Sequence, residues 1–431
     1  MRLLIIGAGP GGYETAVEAA KRGMEVTLIT EGPLGGTCLN EGCIPTKTMC
    51  HYAELIEQNI KAGIDCRPSM VTMVEHRHAV MEQLRRGVEM LLKGVEVVQG
   101  KAQFKDAKTV ICNGTEYTAD KIIIATGSVS ASLPIPGADS CITSKEILEL
   151  NKVPASLCVI GGGVIGLEFA SIFRSFGSEV TVLEFCPNIL PRFDSDLAKR
   201  LKQSLSKHGI NIEVQAQVTR IDGDTVTYIK KDKEYTVQAE KVLMAVGRRP
   251  NTEGLNLEAA GIDYTRKGIT VNDRFETSVP GIYAVGDVTG GIMLAHAATY
   301  QGLHALNAIC GQTDSIRFDL IPAAVFTMPE VATVGLTEEQ CKEQELEVRC
   351  LKSFYRANGK AVSMDETDGY CKVIVDNDGK VLGAHIMGAH ASDLIHEITA
   401  AMNIGASLDQ LQSVIHAHPT LSEVLQSAFH Q

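Results

Sequence analysis

The sequence predicts an α/β chain: two doubly wound dinucleotide-binding units in tandem, then a smaller α+β domain. Three observations carry this. A pattern of strand, Gly-x-Gly-x-x-Gly, helix, strand and acid occurs twice, at residues 3–31 and 157–184. Gly7, Gly9 and Gly12 map onto Gly161, Gly163 and Gly166 at a constant offset, which marks an internal repeat of Rossmann-like units. From about Phe318 the pattern changes to paired strands and short helices. A length of 431 residues agrees with about three domains.

The elements follow in order. Residues 3–6 are an apolar strand-like run, and the first glycine turn comes at once. A strand beside Met1 leaves no room for a signal segment, and no run of about 18 apolar residues exists. The expectation is a cytoplasmic chain without a membrane partner. A formal charge of −12 opposes binding to a phosphate backbone, so no nucleic-acid partner is expected. Residues 45–60 and 68–92 have helical periodicity. Met49, Tyr52, Ile56 and Ile60 share one face of the first, and Val74, Met81, Leu84, Val88 and Leu91 one face of the second. Apolar runs ending at Gly127 and Gly247 close the two units. Beyond them, 323–334 reads as a strand broken at Pro329, and 370–375 and 380–387 flank Asp376-Asn377-Asp378-Gly379, a hairpin turn.

Each glycine of the repeat has a mechanical task. The first allows the tight turn, the second lets a pyrophosphate approach the backbone, and the third lets helix and strand pack closely. The helix N-terminus then offers N–H groups and partial positive charge. The acids refine the ligand. Glu184 lies 18 residues after Gly166, where a carboxylate can accept from both ribose hydroxyls and repels a 2′-phosphate. Phe185-Cys186-Pro187-Asn188 offers no arginine for that phosphate, so the second unit is expected to take NAD. Ile165, Ala245 and Gly247 are further candidate contacts there. In the first unit Glu31 lies 19 residues after Gly12 and Thr30 lies 18 after it. Either can meet the ribose, and Glu31 is favoured. Two dinucleotides in one chain imply a hydride relay between a diffusible nicotinamide and a bound flavin.

Cys38 and Cys43 begin shortly after Glu31, near the first cofactor's path. Four intervening residues with a glycine can fold back and bring two sulfurs together. Pro45 suits a first helical turn, which puts Cys43 at a positive helix end that favours its thiolate. Two buried cysteines or half a zinc clip are the competing readings. The clip lacks a second Cys/His pair at metal spacing, and His76 and His78 sit on a polar helix face, so no metal is expected.

Cys38-x4-Cys43-Ile44-Pro45-x-Lys47 resembles the redox-active signature of the pyridine nucleotide–disulfide oxidoreductases, and the likeness runs along essentially the whole chain. It implies FAD in the first unit and NAD in the second. Cys43 is then the flavin-facing thiolate and Cys38 the interchange thiol. Lys47 looks like the lysine near flavin N5, paired with Glu168. Asp287, in Gly286-Asp287, resembles the acid that holds the ribityl chain, and Met293-Leu294-Ala295-His296 the adjoining flavin segment. Thr37, Ala102, Thr126 and Gly127 resemble further FAD contacts. His416-Ala417-His418-Pro419-Thr420 resembles the family's ending, which makes His418 the acid/base, oriented by Glu423. In the family this base serves the partner subunit, so a homodimer is implied. The resemblance divides the chain into an FAD domain with the disulfide (1–150), an NAD domain (151–265), a segment completing the FAD site (266–317) and a dimer-interface domain (318–431).

Within that family the dihydrolipoamide dehydrogenase branch fits best, on Cys38-Leu39-Asn40, Ile44-Pro45, Met293–His296, the ending and Glu184. It implies oxidation of dihydrolipoyl groups and a lipoyl-bearing protein of a multienzyme complex as a possible partner. The alternatives are an NAD(P)H-dependent reductase of another small disulfide, such as glutathione disulfide, and a non-catalytic nucleotide-binding protein.

Overall fold

The computed structural model describes residues 1–64 and 69–431; Pro68, where the sequence begins its second helix, lies outside the described residues. Five parallel strands form the first sheet in the order Ile282–Ala284, Lys121–Ile124, Arg2–Ile6, Glu25–Thr30, Glu96–Gln99. Four parallel strands form the second: Ile210–Val214, Glu179–Glu184, Ser156–Ile160, Lys241–Met244. A bridge from Ile142 to Leu243 adds a fifth position. In both, the third strand in sequence lies outermost on one side and the chain crosses back past the first, which is the doubly wound order. The strands are near-continuous Val/Ile/Leu runs because both faces of each sheet are covered, one by helices and the other by an inserted antiparallel sheet. Leu3, Leu4, Ile5, Leu157, Cys158 and Val159 are accordingly buried.

The repeat goes further than the glycines. Between its third and fourth strands each unit inserts a three-stranded antiparallel sheet: Ala102–Asp106, Thr109–Cys112, Thr115–Thr118 in the first, and Gln217–Asp222, Thr225–Lys230, Lys233–Gln238 in the second. The segments leaving the two fourth strands, Ser128–Ser130 and Arg248–Pro250, pair with each other and tie the units together. The final domain is a five-stranded antiparallel sheet, with the hairpin strands Tyr370–Asp376 and Val381–Met387 at its centre. Helices Ala391–Ile404 and Glu423–Phe429 pack on it around Ile395, Ile398, Leu425 and Phe429.

Two helix expectations need correction. The first helix runs Cys43–Lys61, so it starts at Cys43 itself, and Ile60 is exposed. The second runs Met70–Leu91 and buries Met70, Met73, Arg77, Met81 and Val88, whereas Leu84 and Leu91 face outward. The inner stripe includes a charged residue that hydrophobic periodicity places outside. Arg77 is 1% exposed, and its Nη2 donates to both oxygens of Glu149 at 3.0 Å.

Candidate active site: a disulfide between two nucleotide cradles

The two glycine turns are near-copies. Gly7 and Gly161 have φ of +105° and +111°, a region that favours glycine. A Cβ on Gly12 would lie 1.8 Å from the Gly7 carbonyl oxygen, and one on Gly166 2.0 Å from that of Gly161. Helix and strand therefore meet with no space for a side chain. Around Gly9 and Gly163, by contrast, an added Cβ would meet no atom within 4 Å. Each opening faces the start of a helix, Pro10–Lys21 or Val164–Ser175. A backbone cradle open at the middle glycine and closed at the third fits a dinucleotide pyrophosphate.

The acids that follow differ. Glu184 is 7% exposed and accepts from the backbone N–H of Gly162 at 2.5 Å and of Cys186 at 2.6 Å. Ile165 is half-buried in the second helix, and Ala245 and Gly247 follow the strand beside that turn. Glu31 is exposed, and its carbonyl accepts from Gln99 Nε2 at 2.7 Å. Thr30 is buried and donates its hydroxyl to the Gly32 carbonyl.

The disulfide lies against the first turn. Gly35 N–H donates to the Ala8 carbonyl at 2.9 Å, and a Cβ on Gly36 would lie 2.6 Å from Gly9 Cα. Cys38 in helix Gly36–Asn40 and Cys43 at the first position of helix Cys43–Lys61 are bonded, with Cα atoms 4.7 Å apart. Thr37 beside them is exposed. Lys47 sits one helical turn beyond Cys43. Its Nζ meets both oxygens of the buried Glu168, at 2.9 and 2.8 Å, and lies 4.4 Å above the Phe326 ring. Glu168 also accepts from the Phe326 N–H at 3.0 Å. The second unit's helix, the disulfide helix and the start of the final sheet thus converge on one carboxylate. Burial first, then the neighbouring Glu168, pushes the Cys50 thiol well up, so it stays protonated.

On the other side, Asp287 opens the turn Gly286–Thr289 and accepts from Ser128 Oγ. Arg248 Nε donates to that hydroxyl at 2.7 Å. Burial pulls the Arg248 guanidinium below its ordinary value, and Asp287 and Glu41 oppose this. Thr126 bonds to Asn251, and Ala102 is buried at the start of its strand. Met293 and Leu294 are half-buried before helix Ala295–Ile309, and His296 Nε2 meets the Pro322 carbonyl at 2.8 Å. Ser128, Arg248 and Phe326 were not anticipated. Ser128 is one residue past Gly127, and that adjacency was the only signal for it in the sequence.

At the far end, His418 Nδ1 bonds to Glu423 Oε1 at 2.9 Å, and the imidazole is 76% exposed. The Thr420 N–H and then His418 hold the Glu423 carboxyl below the usual carboxylate range. Near it Val414 is 44% and Ile415 95% exposed, an apolar surface that a single chain leaves uncovered. His76 and His78 are exposed; His76 Nδ1 meets Tyr52 and His78 Nε2 meets Arg77. No group of three or more metal-ligating side chains occurs among the described residues, nor does any helix there have the length and apolarity to cross a membrane.

A bonded cysteine pair at a helix start, set against one nucleotide cradle and tied through a lysine to the helix of another, can pass electrons in pairs between thiols and nucleotides. The fold and site are those of a nucleotide-dependent disulfide oxidoreductase. Family descriptions agree: residues 1–302 match pyridine nucleotide-disulphide oxidoreductase, and residues 321–429 match the dimerisation domain of the same group. The chain belongs to the pyridine nucleotide-disulphide oxidoreductase family. It is an enzyme that uses FAD and NAD, and it is a homodimer. It is 41% identical to a dihydrolipoyl dehydrogenase of Geobacillus stearothermophilus, over 99% of this chain and 94% of that one. A dihydrolipoyl dehydrogenase of Bacillus subtilis is 42% identical, over 99% and 95%. Among solved structures, the HOCl-induced flavoprotein disulfide reductase RclA from Escherichia coli is 32% identical with a TM-score of 0.90, over 100% and 99%.

Proposed function

We propose that the chain is a dihydrolipoyl dehydrogenase in which Cys38 meets the substrate. One observation carries this beyond the family. Cys38 opens into a slot of about 570 Å³ walled by Leu39, Ile44, Leu84, Val88 and Leu91. An aliphatic dithiol fits such walls. Glutathione disulfide, with its carboxylates, would need cations, and none of the described residues lining this slot is one. Leu84 and Leu91, turned away from the core, serve as substrate walls.

His418 of the partner subunit takes a proton from one substrate thiol, and Glu423 holds its ring through Nδ1 so that Nε2 is the free base. The substrate thiolate attacks the Cys38 sulfur, breaking the Cys38–Cys43 bond and leaving Cys43 as thiolate at the helix start. The second substrate thiol attacks the mixed disulfide. Oxidised lipoyl leaves, and Cys38 departs with the electron pair of the broken S–S bond and takes the proton of the second thiol, while the first proton stays on His418. Re-forming the Cys38–Cys43 bond would release two electrons and the Cys38 proton, and FAD held beside Cys43 would supply the hydride chemistry that carries them to NAD. Lys47 places a positive charge at the flavin side of Cys43, and Glu168 fixes it. Asp287, Thr37, Ala102, Thr126, Gly127 and the segment Met293 to His296 hold the flavin nucleotide. Glu31 takes its ribose, and Glu184 that of NAD. The same reading divides the chain at 150, 265 and 317, places it in the cytoplasm and makes a lipoyl-bearing protein its partner. Replacing Cys38 by Ser abolishes dihydrolipoamide turnover while FAD stays bound. Unchanged NAD reduction by that variant would refute the proposal, and comparable turnover of glutathione disulfide with NADPH would shift the substrate.

A further inference from the structure

We propose a second binding site, for a phosphate group carried on a small metabolite, in the cleft between the NAD unit and the dimerisation sheet. Its wall on the NAD side is helix Ser195–Lys207, which presents Arg200, Ser204 and Lys207 at helical spacing on one face. The facing wall is the end of strand Val348–Phe354 with Arg356, and the start of strand Tyr370–Asp376. Together they enclose about 360 Å³, a volume that takes a small metabolite.

Three cations converge there on a chain whose net charge is −12. The Arg200 guanidinium lies 4.3 Å above the Tyr370 ring, and that of Arg356 4.9 Å above Phe354. Stacking fixes a guanidinium plane and leaves its in-plane N–H groups free for an anion. Arg200 uses only Nε, on Asp196 at 3.1 Å. Among the described residues Arg356 and Lys207 have no carboxylate within 4 Å, whereas Arg200 and Lys352 beside them both meet Asp196. The cleft also holds one carboxylate, Asp368, whose Oδ2 is occupied by Ser204 Oγ at 2.5 Å. Two held forks and an ammonium around one cavity match the oxygens of a phosphate, which two arginines can grip bidentately. Because the walls belong to different domains, the bound anion joins them.

The test uses the FAD-loaded homodimer with NAD saturating, so that both dinucleotide cradles are filled, and inorganic pyrophosphate as probe in calorimetric titration. AMP is measured beside it to separate a free phosphate from an ester. The expected result is one site per chain, weakened at least tenfold in the doubly substituted Arg356→Ala/Lys207→Ala protein, with dihydrolipoamide turnover in the absence of anion unchanged. Absence of binding at millimolar pyrophosphate, or equal binding by the substituted protein, overturns the proposal. Neither outcome bears on the disulfide chemistry, which the Cys38→Ser variant tests separately.

Discussion

The two glycine turns share φ and ψ to within about ten degrees, yet they are set for different occupancy. The first is roofed by the disulfide loop, with Gly36 pressed on Gly9, and its helix packs on helix Ala295–Ile309 so closely that a Cβ on Gly11 would lie 3.0 Å from the Ala298 carbonyl oxygen. The second is followed by Phe185, 68% exposed, and its acid is already engaged by Gly162 and Cys186. A roofed cradle suits a resident nucleotide and an open, pre-braced one suits a nucleotide that arrives and leaves. Identical turns thus differ through what the chain lays over them.

The sharpest way to break this comparison is to fill both third glycines. In Gly166→Ala the Cβ meets the Gly161 carbonyl, and backbone must move, an overpacking cost of about 1–3 kcal/mol or more. The Michaelis constant for NAD rises at least roughly tenfold, while the protein stays yellow. Gly12→Ala does the reverse and yields protein that loses FAD on gel filtration. If Gly166→Ala also lost its flavin, the two cradles would not be independent.

An effect on stability rather than on ligand binding separates the units by their anchoring. The helix after the NAD acid begins at Asp194, fully buried, which caps it and meets the fully buried Lys372 Nζ of the final sheet at 2.6 Å. Glu338 joins the pair at 3.1 Å. Lys342, then Lys372, hold the Glu338 carboxyl down at about 2. Lys372→Met leaves a buried carboxylate uncompensated, a loss of roughly 3–5 kcal/mol, read as earlier thermal unfolding. Glu338 has its pKa depressed on folding, so its contribution is full above pH 4.5 and is lost as pH falls toward about 2. The gap between wild type and variant should narrow across that window; a constant gap would mean that the lysine stabilises by packing alone.

How much of this was visible in the chain itself follows from range. The glycine turns, the cysteine spacing and the hairpin at Asp376 are local, and the structure has them where the sequence puts them. Lys47 with Glu168 and His418 with Glu423 came from resemblance and do lie together. Ser128, which accepts from Arg248 and donates to Asp287, and the Phe326 N–H on Glu168 join residues more than a hundred positions apart, and no periodicity encodes them. Leu84 and Leu91 misled because a helix that lines an apolar slot is apolar on two sides, and the pattern alone does not say which side is the core.

The smallest expected effect compares the two acids. Glu184→Ala removes the acceptor of two backbone N–H groups as well as the proposed ribose contact, about 1–3 kcal/mol, so the Michaelis constant for NAD rises by about tenfold or more. Among the described residues only the Glu31 backbone carbonyl is bonded, so Glu31 has no such structural task there. Glu31→Ala therefore leaves thermal stability unchanged and weakens FAD retention by only about 1 kcal/mol, the worth of one hydrogen bond. Flavin absorbance after dialysis against high salt measures it. If retention is untouched, the ribose is held by Thr30, whose hydroxyl would have to leave the Gly32 carbonyl to do so. Thr30→Val would then release the flavin where Glu31→Ala did not.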